Sequence, residues 1–327
     1  MYNWGIIGAG NIAGQFADDL KLLTRANLLA VASRSEERAD KFAREHKIPK
    51  SYGNWENMPA DPDIDIVYIA THHPFHFENA LACLKSGKAV LCEKPFTMNK
   101  RELLELVSTA RRKNIFLMEA IWTRFLPSMR KVLEISESGE LGKLTDVYAD
   151  FGFRLEFNPE HRLFNHDLGG GVLLDVGLYP VFISLLLAGV PRNIKANARF
   201  TKTGIDHSCN MIFEQGKDVV SSLNCTLMAE APSEANLLFE KGRISMESWW
   251  LTPGPITVHR LGKEPELINF SESGIGYHYE ADEVMRCLDE GLVESPMLPL
   301  DFSLDLIGTL DMIRSICGIS YAQDEIK

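Results

Sequence analysis

Short apolar runs alternate with amphipathic segments along the first third of the chain. Each run has four to seven residues that are almost all apolar, and the segments between them place apolar residues at helical spacing, as at Ala39, Phe42 and Ala43. Apolar strands that alternate with helices predict a doubly wound parallel α/β sheet covered on both faces. The predicted strands are 4–8, 28–32, 64–70, 89–92 and 115–118, and the predicted helices are a segment ending at 23, then 35–46, 75–86 and 100–113.

The pattern changes after about residue 122. Strand-like segments now follow one another, separated by turn-like clusters such as Lys241-Gly242, which is typical of antiparallel hairpins. We therefore predict two domains, residues 1–122 and 123–327, the second an α+β domain with a large, mainly antiparallel sheet covered by helices on one face. Its predicted strands are 144–153, 195–202, 208–213, 219–226, 235–239, 243–247 and 255–260, and its predicted helices are 128–137, 172–187, 280–290 and 304–317.

The composition fits two soluble globular domains. The chain has 327 residues, of which 45% are hydrophobic and 24% charged, and these fractions exclude disordered, collagen-like and coiled-coil chains. The net charge of −11 argues against a nucleic-acid partner held by phosphate contacts. Residues 1–120 carry 16 basic and 15 acidic side chains, against 18 and 30 in the remainder, so an anionic ligand is easier to place in the first domain.

The six cysteines form no Cys-x-x-Cys pair, and no signal peptide is expected ahead of them. They are expected to be reduced thiols, packed as small apolar side chains in a cytoplasmic protein. The most apolar stretch, Leu178 to Val190, has 13 residues and is too short to span a bilayer, so no membrane partner is expected.

The segment Gly8-Ala9-Gly10-Asn11-Ile12-Ala13 fits the pattern G-x-G-x-x-A between a strand and a helix. In a Rossmann-type fold the first glycine permits a tight turn, the second lets the backbone approach a pyrophosphate, and the helix N-terminus attracts the phosphates. A plain glycine turn is the alternative. The position within a strand–turn–helix unit favours a dinucleotide site formed by Gly8, Gly10, Asn11 and Ile12.

The end of the second predicted strand indicates which dinucleotide binds. An NAD site would place Asp or Glu there, whereas this chain has Ser33 and Arg34, with Arg38 one helical turn later. A hydroxyl and two guanidinium groups suit a 2′-phosphate. The alternative is that both arginines pair with acidic residues on a solvated helix. NADP(H) is the preferred cofactor, and NAD(H) is the second choice.

Glu93-Lys94-Pro95 follows the predicted strand 89–92. Lys94 therefore stands at the carboxyl end of a parallel strand, where open α/β sheets bind ligands. A surface lysine in a turn is the alternative from position alone.

Together these motifs resemble the glucose–fructose oxidoreductase/inositol dehydrogenase (Gfo/Idh/MocA) family over essentially the whole chain. The resemblance rests on the glycine turn, Thr71-His72-His73-Pro74-Phe75-His76, Glu93-Lys94-Pro95, and residues 169–179 with the sequence Gly-Gly-Gly-Val-Leu-Leu-Asp-Val-Gly-Leu-Tyr. Residues 119–127 and 279–284 are similar to the subgroup of trans-1,2-dihydrobenzene-1,2-diol dehydrogenases and NADP-dependent D-xylose 1-dehydrogenases.

The resemblance implies catalytic roles for Lys94, Asp175 and Tyr179. A tyrosine whose phenolate is favoured by a nearby ammonium can take a hydroxyl proton while hydride leaves the same carbon for the nicotinamide. Lys94 would hold the substrate oxygen or relay the proton, and Asp175 would orient Lys94 or the substrate. Asp175 and Tyr179 are four residues apart and share one face if the stretch is helical, an argument that Pro180 limits.

The resemblance also implies a cofactor groove lined by Thr71, His72, His73, His76 and Glu93. Three histidines within five residues could supply metal ligands, but no Cys or second acidic cluster completes such a site nearby. No metal is therefore expected.

Aromatic side chains are candidates for the substrate pocket: Trp122 and Phe125, next to Arg124, and Tyr277 and Tyr279. Aromatic faces suit both sugar rings and cyclic diols. We expect an NADP(H)-dependent oxidoreductase that transfers a hydride between the nicotinamide and a hydroxyl or carbonyl carbon of a sugar, polyol or cyclic diol. The alternative is a non-catalytic, nucleotide-sensing binding protein on the same fold.

The predicted strand 144–153 alternates in polarity. Val147, Ala149 and Phe151 lie on one side, and Tyr148 and Asp150 lie on the other. A sheet covered by helices on one face leaves the other face open. The family resemblance implies that two copies form a homodimer through these open faces.

Overall fold

The computed structural model describes residues 1–271 and 273–325. The chain divides into two compact units, the first made of Met1–Phe125 with Glu272–Leu304 and the second of Leu126–Ser271 with Asp305–Lys327. The segment Glu272–Leu304, which the predicted division assigns to the second domain, thus belongs to the first unit in the structure.

Most predicted elements are present within a few residues of their predicted bounds. The strands β1 to β14 are, in order, Tyr2–Ile7, Ala26–Ala32, Lys50–Tyr52, Ile66–Ile69, Ala89–Glu93, Leu117–Ala120, Leu144–Gly152, Pro191–Phe200, Asp206–Gln215, Val219–Thr226, Ala235–Phe239, Gly242–Met246, Ile256–Arg260 and Glu266–Ile268. The helices α1 to α8 are Asn11–Leu20, Glu36–His46, His76–Lys85, Lys100–Lys113, Pro127–Ser138, Leu178–Ala188, Tyr277–Asp289 and Leu300–Cys317.

The first unit contains a six-stranded sheet in the order β3–β2–β1–β4–β5–β6, and all of its neighbouring strands are parallel. The predicted doubly wound architecture is confirmed. β4 and β5 are buried along their whole length because helices cover both faces of the sheet. The three-residue strand β3 was not predicted, since it is too short to show a period.

Helix α7 belongs to the first unit because Asp19, at the end of α1, holds its N-terminus. The buried Asp19 carboxylate accepts hydrogen bonds from the backbone N–H groups of Gly276 and Tyr277, each at 2.8 Å, and of Ile275 at 3.0 Å. A carboxylate at this position satisfies donors that the helix itself leaves unpaired.

The second unit contains an eight-stranded sheet in the order β14–β13–β12–β11–β7–β10–β9–β8. Only the β7–β10 pair is parallel, so the predicted mainly antiparallel sheet is confirmed. Helix α6 packs against β7 and β10. The alternation along β7 is also as predicted, because Val147, Ala149 and Phe151 are buried and Tyr148 is 47% exposed.

A long apolar helical segment runs through the second unit. His166–Ala188 spans 23 residues and has the length and composition of a membrane-crossing helix, so it is longer than the 13-residue stretch considered from the sequence. In the structure 83% of its apolar window is buried inside the protein. A helix that is apolar on every side is also the expected form of a core helix.

Candidate active site

The two glycines of the turn before α1 have different surroundings. Gly8 has a φ of +116°, and a Cβ built on it would stand 2.4 Å from the carbonyl oxygen of Ala70. A Cβ on Gly10 would meet no atom of the described chain within 4 Å. Packing therefore requires the first glycine, whereas at the second the backbone borders open space that a ligand can enter.

The N-terminus of α1 differs from those of α2 and α4 in the first unit. The Ser35 side chain caps α2, and the Asn99 side chain caps α4. Among residues 1–271 and 273–325, no side chain caps α1. Its first-turn N–H groups are thus available to an anion, as dinucleotide phosphates require.

A groove in the first unit extends from this turn across the ends of β2 and β4. The predicted residues that line it are Gly8, Gly10, Ser33, Arg34, Arg38, Thr71 and His72. Trp55, Phe75 and Asn79 also line it and were not predicted. Asn79 is tied to the groove wall because the Thr71 hydroxyl donates to its Oδ1 at 2.9 Å. Asn11 and Ile12 instead form the first turn of α1.

The positive end of the groove is formed by Arg34 and Arg38, which are both exposed. The Arg34 guanidinium lies 5.4 Å from the centroid of the Phe75 ring. Within the described ranges, neither arginine forms an ion pair with the acids of α2, in contrast to the alternative considered above; Asp40 instead accepts a hydrogen bond from Ser51. The arrangement fits a phosphate-bearing ribose.

His76 does not line the groove. It is fully buried, with Nδ1 2.8 Å from the Pro95 carbonyl oxygen and Nε2 3.0 Å from that of Thr71. Burial lowers the pKa of His76 to about 3, so the ring is neutral at pH 7 and donates one hydrogen bond. His76 is therefore packed between the groove wall and the loop after β5, and His73 beside it is also buried.

Lys94 lies on that loop, where it is half-buried. The Lys94 N–H donates to Glu93 Oε2 at 3.2 Å, and the Phe96 N–H donates to Glu119 Oε1 at 3.0 Å. The predicted cofactor residue Glu93 is itself buried and accepts a hydrogen bond from the Tyr68 hydroxyl. Burial raises the pKa of Glu119 to about 7. Buried side chains thus hold the segment that presents Lys94.

In the second unit, Asp175 and Tyr179 occupy different kinds of helix. Asp175 lies in a π-helical turn, Leu173–Gly177, and Tyr179 lies in the first turn of α6. The predicted helical stretch is present, but it begins as a π turn, whose repeat is longer than 3.6 residues. Pro180 is accommodated because it falls in the first turn of α6. Both candidates are buried, at 6% and 5% exposure.

Arg162 is a site residue that the sequence reasoning missed. Its Nη1 and Nη2 each lie 3.1 Å from one carboxylate oxygen of Asp175. No periodicity links two positions 13 residues apart on a loop and a helix, so the sequence held no signal for this pair.

An aromatic cluster surrounds Tyr179 in the second unit and was also missed. Phe151 meets the Tyr179 ring edge-on with centroids 5.7 Å apart, and Trp249 meets Phe151 at 5.5 Å. Trp249 is 47% exposed and has a φ of +61°, which is rare for a bulky residue. Strained backbone of this kind concentrates at functional sites.

The predicted substrate residues of the first unit form a packed group. Trp122 and Tyr277 stack with ring centroids 4.6 Å apart, and Phe125 is 2% exposed. Arg124 donates from Nε to the Met297 carbonyl oxygen at 2.7 Å. Tyr279 is half-buried beside the ring of His278. The structure thus brings Trp122 and Tyr277 together and gives Phe125 and Arg124 packing contacts.

No group of three His, Cys, Asp or Glu side chains within the described part of the chain is placed to hold a metal ion.

Comparisons with known proteins match both units. The model of the GFO/IDH/MocA oxidoreductase family with the NAD-binding Rossmann fold matches residues 2–120, and that of the GFO/IDH/MocA C-terminal domain matches residues 129–245. The chain is 38% identical over 333 residues to trans-1,2-dihydrobenzene-1,2-diol dehydrogenase of Bos taurus and 36% identical over 332 residues to that of Homo sapiens, with 98% of each chain covered in both cases.

Two solved structures share the fold. An aldose–aldose oxidoreductase from Caulobacter crescentus, complexed with glycerol, has a TM-score of 0.88 at 20% identity over 97% of both chains. A 3-ketoreductase from Actinomadura kijaniata, in complex with NADP and TDP-benzene, has a TM-score of 0.86 at 22% identity over 97% of this chain and 98% of that one.

Proposed function

The chain belongs to the GFO/IDH/MocA family of oxidoreductases, and on that premise we propose that it is an NADP(H)-dependent dehydrogenase of a sugar, polyol or cyclic diol. The observation that carries the proposal is the groove at α1. Open space at Gly10, a helix N-terminus that no described side chain caps, and Ser33, Arg34 and Arg38 at the far end together fit a phosphorylated dinucleotide.

Preference for NADP(H) over NAD(H) follows from the same groove. The two exposed arginines and the Ser33 hydroxyl can bind a 2′-phosphate, and no acid occupies the position that would accept from the ribose hydroxyls of NAD. The test is to measure dissociation constants for NADPH and NADH by fluorescence. We expect Arg34→Ala to weaken NADPH about 10- to 100-fold, with little change for NADH.

The matched control for this test is Arg44→Ala, which removes an exposed arginine from the same helix α2. The control should leave both constants unchanged. Equal affinity of the wild-type protein for NADPH and NADH would refute the 2′-phosphate assignment.

The reaction assigns one role to each candidate side chain. When bound, the nicotinamide ring supplies or accepts the hydride. We assign the hydroxyl proton to Tyr179, which takes it during oxidation and returns it during reduction. Lys94 holds the substrate oxygen, and Asp175 orients the groups that carry the proton.

The aromatic cluster supports a ring-shaped, uncharged substrate. Trp249 presents a half-exposed indole next to Phe151, which contacts Tyr179. Such faces stack on sugar rings and cyclic diols alike. The diol dehydrogenases of Bos taurus and Homo sapiens, at 38% and 36% identity, favour a cyclic diol.

A turnover screen decides between catalysis and nucleotide sensing. Aldoses, polyols and trans-dihydrodiols are each incubated with NADP⁺, and the absorbance of NADPH is followed. We expect turnover with at least one of these classes, fastest with a trans-dihydrodiol. If NADPH binds tightly but no compound is oxidised, and no corresponding carbonyl compound is reduced, the chain is a nucleotide-binding protein without this activity.

We also propose a homodimer through the open face of the second sheet. Tyr148, Ile212 and Val220 are 47%, 48% and 38% exposed on that sheet, and Ser222 pairs in register with both Tyr148 and Ile212. These neighbours form a partly apolar row across three strands that a second copy could cover.

Light scattering after size exclusion tests the dimer. We expect wild-type protein at twice the chain mass of 36.7 kDa and Ile212→Glu at the monomer mass. Leu261→Glu is the control, because Leu261 is 84% exposed on a turn outside the row. A wild-type monomer would contradict the proposal.

A cytoplasmic location is proposed from the cysteines. All six thiols are free, and five of them are buried. Fractionation of cells that express the chain checks this, and recovery in a secreted fraction would contradict it.

A further inference from the structure

The contact between Arg162 and Asp175 is a two-point ion pair. Both Nη–Oδ distances are 3.1 Å, and the Arg162 side chain is 43% exposed whereas that of Asp175 is 8% exposed. Parallel contacts of this kind are stronger and more directional than a single hydrogen bond between the same groups.

Asp175 occupies a place where an ionised carboxylate needs a partner. Its neighbours Leu174 and Val176 are buried and apolar. Burying a carboxylate is costly unless a cation or several donors compensate it. A carboxylate offers about four acceptor positions, so a guanidinium that uses one position on each oxygen leaves the others for further donors. The pair therefore fixes both the charge and the rotation of the carboxylate.

The loop that carries Arg162 is fitted closely to the glycine run before the π turn. The Gly170 N–H donates to the Asn165 carbonyl oxygen at 2.9 Å, and the Gly171 N–H donates to that of Leu163 at 3.0 Å. A Cβ on Gly170 would stand 2.6 Å from the Arg162 carbonyl oxygen. The missing side chain at Gly170 is what allows the Arg162 segment to lie this close.

The π turn is anchored from its other side. The Leu173 N–H donates to Oδ2 of the buried Asp206 at 2.8 Å. Both partners of the ion pair are therefore held by backbone contacts, and the fold itself sets their geometry.

We infer that Arg162 is a positioning residue for hydride transfer: it keeps the Asp175 carboxylate ionised and turned so that its remaining acceptor positions serve the proton-carrying groups. The inference rests on the proposed function, in which Asp175 takes part in the reaction. It predicts that loss of Arg162 lowers kcat through Asp175 and leaves NADPH affinity unchanged, whereas loss of a pair that only stabilises the fold would lower stability without this selective effect on kcat.

A double-mutant cycle with chemical rescue tests this on the full-length protein. The variants are Arg162→Ala, Arg162→Lys, Asp175→Asn and the Arg162→Ala/Asp175→Asn double variant. The exposed Arg130→Ala on helix α5 is the control. For each variant, kcat and KM are measured with trans-1,2-dihydrobenzene-1,2-diol and NADP⁺, the dissociation constant of NADPH is measured by fluorescence, and each assay is repeated with guanidinium chloride at about 50 mM.

We expect Arg162→Ala to lower kcat about 10- to 100-fold while the dissociation constant of NADPH stays within about two-fold. Guanidinium should raise the kcat of Arg162→Ala at least about five-fold. The kcat of Arg162→Lys should lie between those of wild type and Arg162→Ala. The double variant should be no slower than Asp175→Asn alone, because the two losses are not additive when one residue acts through the other.

The outcomes distinguish the proposed role of Asp175 from the positioning role of Arg162. If Asp175→Asn keeps full kcat, the proposed role of Asp175 fails. If Asp175→Asn is slow but Arg162→Ala keeps the wild-type kcat, the inference alone is overturned. It is also overturned if Arg162→Ala is slow but unaffected by guanidinium and fully additive with Asp175→Asn. An Arg162→Ala protein that does not fold leaves Arg162→Lys and its kcat as the deciding measurement, with unchanged kcat counting against the inference.

Discussion

The groove of the first unit and the Asp175 region of the second unit use different parts of the chain. The groove consists of a glycine turn and a helix N-terminus, with the exposed side chains of Arg34 and Arg38 at its end. Asp175 and Tyr179 are instead buried side chains, the first on a π turn and the second on the apolar helix α6 that follows it. Recognition in the groove can therefore change without disturbing the core, whereas the proposed reacting groups are tied to core packing. Substitutions in the groove should act on cofactor affinity, and those around Asp175 should act on turnover.

The largest expected effect is that of Tyr179→Phe. The substitution removes the hydroxyl and keeps the ring that packs edge-on against Phe151. We expect kcat to fall about 10²- to 10⁴-fold, with the dissociation constant of NADPH within about two-fold of wild type. The control is Tyr148→Phe, because Tyr148 lies on the open face of the sheet to which Phe151 belongs. This variant should change neither kcat nor the dissociation constant of NADPH. A Tyr179→Phe protein with normal kcat would contradict the assignment of turnover to the Asp175 region.

The next effect separates the two glycines of the turn. Gly10→Ala adds a methyl group where no described atom lies within 4 Å, so its thermal stability should match wild type. The same methyl occupies space that a pyrophosphate needs, and we expect NADPH affinity to fall about ten-fold or more. Gly8→Ala should instead lower the melting temperature, because its Cβ would collide with the Ala70 carbonyl at a φ of +116°. Calorimetry of binding and of unfolding measures both, and equal melting temperatures for the two variants would contradict this account.

Buried carboxyl groups give a third comparison between the units. Asp175 has Arg162, whereas Glu280 is fully buried and neither of its oxygens has a hydrogen-bond partner among the described residues. Burial raises the pKa of Glu280 well above its usual range, and the nearby carboxylates of Glu93 and Asp19 add to the shift. The group therefore keeps its proton to a higher pH in the folded protein than in the unfolded chain.

The raised pKa of Glu280 makes the folded protein less stable as pH rises. Folding raises the pKa of this carboxyl group above its unfolded value of about 4.3. Between these two pKa values the folded state binds more protons than the unfolded chain, so the free energy of unfolding falls as pH rises through that interval. Glu280→Gln should match wild type below about pH 4 and become more stable above it, by at most about 1.4 kcal/mol per pH unit. Urea unfolding from pH 4 to pH 8 measures this, with exposed Glu105→Gln as the control. Parallel curves for wild type and Glu280→Gln would count against a neutral Glu280.

The smallest expected effect concerns Phe75. Its ring lies 5.4 Å from the Arg34 guanidinium, and contacts of this kind at exposed sites contribute about 0.5–1 kcal/mol. Phe75→Leu should therefore weaken NADPH about two- to five-fold and NADH less, whereas Phe75→Tyr keeps an aromatic face and should retain the affinity. An equal loss for both nucleotides would show that Phe75 shapes the groove without acting through Arg34.

The sequence predicted the parts of the fold that repeat or that follow a motif. β10, β11 and α4 have their predicted bounds, since Gly216-Lys217 precedes β10, Lys241-Gly242 follows β11, and the buried residues of α4 follow a helical period. β3 and β14 have three residues each and show no period. The π turn was missed because the four-residue spacing assumes an ordinary helix. The return of α7 to the first unit depends on Asp19, some 256 positions before Ile275, and no local pattern reports such a contact.

The sequence predicted the parts of the candidate site that lie at strand and helix ends, but not the direction of each side chain. The glycine turn, Ser33, Arg34 and Arg38 line the groove because their positions follow from strand and helix ends. His76 carries the same motif signal as His72, yet it is buried between two carbonyl oxygens, and a motif does not show the direction of a side chain. Arg162 contacts Asp175, and Trp249 contacts Phe151. Arg162 and Trp249 both lie on loops, where spacing along the chain carries no geometric information.

The position of His76 has a consequence for how ligands influence one another. Its ring is packed between the Thr71 carbonyl in the groove wall and the Pro95 carbonyl beside Lys94, and it donates a hydrogen bond to one of them. A dinucleotide that restricts the Thr71 turn therefore also restricts the loop of Lys94. Less conformational entropy remains for that loop to lose when the second ligand arrives, which produces positive cooperativity without any change of shape. Such coupling is reciprocal, so each ligand is expected to raise the affinity for the other by the same factor.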